Sequence, residues 1–167
     1  MSSSRSLAEP AWVVEGRKHL GLREIPGKGH APTITRWLRD LRAWWADDET
    51  AWCGTFVAAM LRGRPTPLPR HWYRARSWLE YGVALEAPCV GCIAVFERGG
   101  GGHVGFVVGT DEKGRLMVLG GNQGDAVSVA PFDKNRALGY RYPAEKVLAS
   151  ALPVLASNGA KSSRNEA

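Results

Sequence analysis

The chain has 167 residues, 44 % hydrophobic and 23 % charged, which is the composition of one globular domain and excludes disordered and fibrous classes. A net charge of +6 favours an anionic partner, yet the arginines from Arg17 to Arg76 are scattered without a dense block or a nucleic-acid module, so a cell-envelope surface explains them as well. No uncharged apolar run approaches the roughly 18 residues of a membrane span, and the start lacks the apolar core of a signal peptide, so synthesis in the cytoplasm without membrane insertion is expected.

Residues 1–9 are serine-rich and expected to be disordered. Trp12, Val13, Gly16 and Leu20 predict a first helix with Pro10 at its start and Gly21 at its end. A Pro- and Gly-rich loop follows from Glu24 to His30. Pro32 then opens a second helix through Ile34, Trp37, Leu38 and Leu41, with Arg36 and Arg39 on its basic face.

Glu49 to Leu61 is an apolar helical run in which Trp52, Phe56 and Ala59 or Met60 form a stripe, and Thr50 is the expected N-cap. Cys53 falls in the first turn. Unpaired N–H groups and the positive end of the helix dipole converge there, and both favour thiolate over thiol. The three prolines between Arg62 and Pro69 predict an extended connection, and a short helix follows from Ala75 to Tyr81, stopped by Gly82.

Beyond Gly82 the pattern changes to short apolar runs at 92–96, 103–108, 115–119, 126–129 and 138–142, separated by glycine or charge. Five strands with tight connections read as an antiparallel meander, and helices followed by a sheet make an α+β domain. Residues 144–167 are read as an extension, with a short helix from Val147 to Leu155 interrupted by Pro153 and a disordered polar tail.

Three residue groups carry chemistry. His103 opens a strand directly after Gly99–Gly102, beside backbone too small to obstruct it, and is the best candidate base among the four histidines. Asn122 and Gln123 place two amides in a glycine-rich turn at a strand end, where an amide oxygen can fix the tautomer of an imidazole. Cysteine on a helix N-terminus, then histidine on a strand, then an amide is the chain order of papain-like nucleophilic sites.

The segments around Trp52-Cys53-Gly54-Thr55-Phe56, Gly91-Cys92-Ile93-Ala94-Val95-Phe96, Gly102-His103-Val104-Gly105-Phe106 and Leu119-Gly120-Gly121-Asn122-Gln123 resemble cell-wall cysteine peptidases of the CHAP and NlpC type, in particular small phage and prophage endolysins. The resemblance runs from about Trp12 to Tyr142 and makes residues 10–143 a papain-like catalytic domain, with the nucleophile helix packed on a small antiparallel sheet. It implies Cys53 as nucleophile, His103 as general base and Asn122 as orienting group, acting on an amide bond of peptidoglycan. It calls for no cofactor and no metal. Trp52, Trp72, Tyr73 and Trp78 are candidate walls of the substrate groove, although burial in the core competes for at least two of them. Cys92 stands where such sequences commonly carry Asp.

The three cysteines, 53, 89 and 92, form no disulfide framework, and Cys89-Val90-Gly91-Cys92 supplies only half of a zinc ligand set. A wall-binding module without catalysis would keep the scaffold, and an interbacterial amidase toxin would keep the chemistry. A monomer is expected, reaching the wall through a holin-type pore or a secretion system.

Overall fold

The computed structural model describes residues 9–25, 29–46, 51–99, 101–144, 146–148 and 150–156. The expected disorder of the first residues and of the polar tail, the Thr50 cap and the middle of the Glu24–His30 loop lie outside the described residues.

Three helices precede the sheet, as the sequence pattern predicts: α1 (Ala11–Arg17), α2 (Pro32–Asp40) and α3 (Cys53–Leu61). Proline begins two of them as expected, Pro10 at the N-cap of α1 and Pro32 at the first turn of α2. α3 is buried over its whole length, not along one stripe. Its sequence explains this, because no charged residue interrupts Cys53 to Leu61, and a helix apolar on all sides belongs in the interior. Phe56 meets Trp37 of α2 at 5.9 Å and Phe106 of the sheet at 6.2 Å, so α3 is the centre of the core. Gly16 of α1 lets that helix approach, since a Cβ there would lie 3.1 Å from the Phe56 ring.

The expected short helix is a 3₁₀ segment, Ala75–Glu80. Six strands follow: β1 (Val83–Leu85), β2 (Ile93–Arg98), β3 (Gly101–Thr110), β4 (Leu116–Gly120), β5 (Ser128–Phe132) and β6 (Ala137–Tyr142). All pairs are antiparallel, in the order β1-β6-β2-β3-β4-β5. The arrangement is α+β with the helix of Cys53 ahead of the strands. β2 to β5 form the expected meander, but β6 returns across the sheet and inserts between β1 and β2. β1, only three residues long, escapes the sequence pattern and pairs with β6 alone.

Among the described residues of the span Val147 to Leu155 the expected helix does not form. Pro153 lacks the N–H a helix interior needs, and the chain there is extended: Thr110 N–H donates to Pro153 O and Leu155 N–H to Thr110 O, at 2.8 and 2.6 Å. No described helix is long and apolar enough to cross a membrane.

Candidate active site

Cys53 is the first residue of α3, with Trp52 at the N-cap position. The backbone N–H groups of Val104 in β3, Gly54 and Cys53 are near enough to its thiol to draw its pKa down against the larger effect of burial. Thus the sulfur rests against the strand one residue from His103. Gly54 is required beside it, because a Cβ there would lie 2.4 Å from the Trp72 carbonyl oxygen. The chain from Arg62 thereby folds back to press Trp72 and Tyr73 onto the first turn of α3.

The pull of the helix terminus toward thiolate is outweighed by burial. Cys53 is 3 % exposed, and removal from water pushes its thiol upward despite the N–H groups and the Arg98 charge, which pull the other way.

His103 is wholly buried, and its ring is held on two sides. The Phe132 ring of β5 stacks on it at 5.0 Å and 6°, and Phe96, its cross-strand partner in β2, stacks on Phe132 at 4.7 Å. In the ring plane, Nε2 lies 2.9 Å from Gln123 Oε1. The Gln123 amide is itself oriented: its Nε2 donates to the carbonyls of Val118 and Ser128 at 3.0 and 2.8 Å. Carbonyls only accept, so Oε1 must face the imidazole, and His103 Nε2 carries the proton. The lone pair is therefore on Nδ1, which is buried and has no hydrogen-bond partner among the described residues.

Burial foremost, then the charge of Arg98, holds the His103 pKa down at about 3. Arg98 is buried at the end of β2, where it pairs with Gly101, and its charge acts on both Cys53 and His103. Cys53 and His103 thus rest as neutral thiol and neutral imidazole.

The amide on the ring is Gln123, and not Asn122. Asn122 sits beside it in the left-handed region, φ 56°, a conformation that asparagine tolerates better than most residues. Its place in the turn accounts for the residue type. The sequence offers both amides in one turn, and only the backbone decides which reaches the histidine.

The four proposed groove walls divide evenly. Trp52 and Trp78 belong to the core: Trp52 Nε1 donates to Glu24 Oε2 and Trp78 Nε1 to Trp72 O, each at 2.9 Å. Trp72 and Tyr73 are half-buried and join an aromatic group that the sequence reading missed. Trp45 stacks on Trp72 at 5.8 Å and meets Tyr73 edge-on at 5.2 Å. The adjacent Trp44-Trp45 pair in a loop was the available signal.

Cys89 and Cys92 are buried free thiols hydrogen-bonded to each other, in a turn closed by Cys92 N–H on Cys89 O at 3.1 Å. Among the described residues no group of three or more His, Cys, Asp or Glu could hold a metal ion.

Residues 45–122 match the CHAP domain family. This segment is similar to a CHAP/NlpC-type cell-wall peptidase domain. CHAP domains are typically peptidoglycan amidases or peptidases. The match spans α3 with Cys53, β2, and β3 with His103, and ends at Asn122, one residue before the amide on the ring. No curated protein matches the chain.

Proposed function

We propose that this CHAP-like domain hydrolyses an amide bond of the peptidoglycan peptide, with Cys53 as nucleophile, His103 as general base and Gln123 as the group that orients the base. The observation that carries the reading is the His103–Gln123 hydrogen bond, which leaves the Nδ1 lone pair as the ring's basic site beside the strand residue whose N–H lies near the Cys53 thiol.

Because the resting pair is neutral, attack and proton transfer occur together. The Cys53 sulfur forms a bond to the amide carbonyl carbon as its proton passes to His103 Nδ1. The N–H groups at the first turn of α3 stabilise the developing oxyanion. The imidazolium returns its proton to the departing amine, the C–N bond breaks, and an acyl-thioester remains on Cys53. Water, deprotonated by His103, then releases the acid. Throughout, Gln123 Oε1 accepts from Nε2–H and prevents the ring from turning over.

The same chemistry serves a phage endolysin or an interbacterial amidase toxin, and the basic net charge suits an anionic wall in either setting. Purified walls test the reading. Wild-type chain should release fragments whose masses identify the bond cut, while Cys53→Ala and His103→Ala should each abolish release with an unchanged circular dichroism spectrum. Undiminished release by Cys53→Ala would remove the proposal.

A further inference from the structure

Away from Cys53, α2 and the segment from Ala43 to Ala46 enclose a groove of about 580 Å³ lined by Pro32, Thr35, Arg36, Arg39 and Trp45. That volume is in the range of pockets that take small ligands. Arg36 and Arg39 lie three residues apart on α2, are both exposed, and form no ion pair among the described residues. Their guanidinium forks match carboxylate geometry. Trp44, 88 % exposed, stands edge-on to Trp45 at 5.1 Å and carries the aromatic surface out to solvent.

The groove is also connected to the reaction centre. Trp45 stacks on Trp72, and the Trp72 carbonyl packs on Gly54, the neighbour of Cys53. A ligand lying along this aromatic row would therefore extend from the groove toward the first turn of α3.

We infer that this groove is a subsite for the wall strand, in which Trp45 receives the C–H face of a sugar ring and Arg36 and Arg39 receive a carboxylate of the attached peptide. The inference rests on the proposed function for the identity of the ligand. An aromatic face is electronegative and suits the polarised C–H groups of a sugar, and two cations without carboxylate partners among the described residues suit an acidic peptide. The adjoining Trp72 and Tyr73 then bridge subsite and nucleophile.

The test uses the full chain with Cys53→Ala, to prevent turnover, titrated by calorimetry with three probes: a disaccharide-tetrapeptide muropeptide, a neutral N-acetylglucosamine oligomer and the free tetrapeptide. Trp45→Ala should weaken muropeptide and neutral sugar by about tenfold or more, with recovery in Trp45→Phe. Arg36→Gln with Arg39→Gln should weaken muropeptide and tetrapeptide by a similar factor and leave the neutral sugar unchanged. Muropeptide affinity unaltered in the folded Arg36→Gln/Arg39→Gln protein, or in folded Trp45→Ala, overturns the subsite. Wall cleavage by the active chain with an unaltered KM in these variants overturns the subsite and leaves the hydrolase standing. Trp45-dependent muropeptide binding by a chain that cleaves no wall supports the subsite and removes the hydrolase.

Discussion

Gln123 accepts the Nε2–H of His103 at 2.9 Å, and its own amide N–H groups are committed to Val118 and Ser128, so the glutamine dictates which nitrogen of the ring is basic. Replacing it with leucine strands the buried Nε2–H of His103. Activity should fall about a hundredfold, within the range contributed by a positioned base, with the loss in kcat and not in KM. Stability should fall by about 1–3 kcal/mol for the buried group left without a partner. Two-dimensional ¹⁵N spectra of the imidazole should change from a single Nε2–H tautomer to a mixture.

Gly120 makes that contact possible. A Cβ at this position would lie 2.3 Å from Gln123 Oε1 and 3.3 Å from His103 Nε2. Gly120→Ala should therefore reproduce the kcat loss of Gln123→Leu, with overpacking costing about 1–3 kcal/mol. Thermal unfolding and wall-release kinetics on the same preparation check both.

Acid should unfold the protein through His103. Its folded pKa, about 3, lies below the ordinary 6.5, so the unfolded chain binds the extra proton between those values. Stability is then complete above about pH 6.5 and is lost as pH falls toward 3, by on the order of a few kcal/mol from this group. Urea midpoints across that range should slope downward with acid, and the slope should flatten in His103→Asn. The same sign governs catalysis: the acidic limb of kcat/KM should lie below the ordinary histidine range.

Cys89 should be the first thiol to ionise. The Cys92 thiol donates to it and brings its pKa down to about 7, whereas burial and that same contact push Cys92 upward and burial pushes Cys53 upward. Thiolate absorbance at 240 nm should rise with a midpoint near pH 7, disappear in Cys89→Ser, and move to higher pH in Cys92→Ala.

Much of this could be read from residues alone, and the failures have physical reasons. Uninterrupted apolar sequence marks α3, but His103 does not open its strand: β3 begins two residues earlier at Gly101 and buries His103 within the sheet. Spacing could not show that β6 returns between β1 and β2, because strand order is a long-range choice among similar apolar runs. Nor could composition choose between Asn122 and Gln123; the left-handed backbone at 122 does so. The state of Cys53 is only half legible in sequence: the dipole of a helix terminus is visible there, while the desolvation that outweighs it depends on what folds over the sulfur. Trp52 and Trp78 lie in the core, Trp45 is partly buried and Trp44 is exposed, because aromatic residue type signals burial or contact equally well.

Cys53 as the covalent nucleophile is tested most directly by trapping the acyl-enzyme. Wild-type chain mixed with purified wall peptide, quenched in acid within a turnover and digested, should yield the peptide containing Cys53 carrying the mass of the acyl fragment, removable by hydroxylamine. Amide cleavage with Cys53 unmodified, or with the adduct on Cys89, would contradict the account.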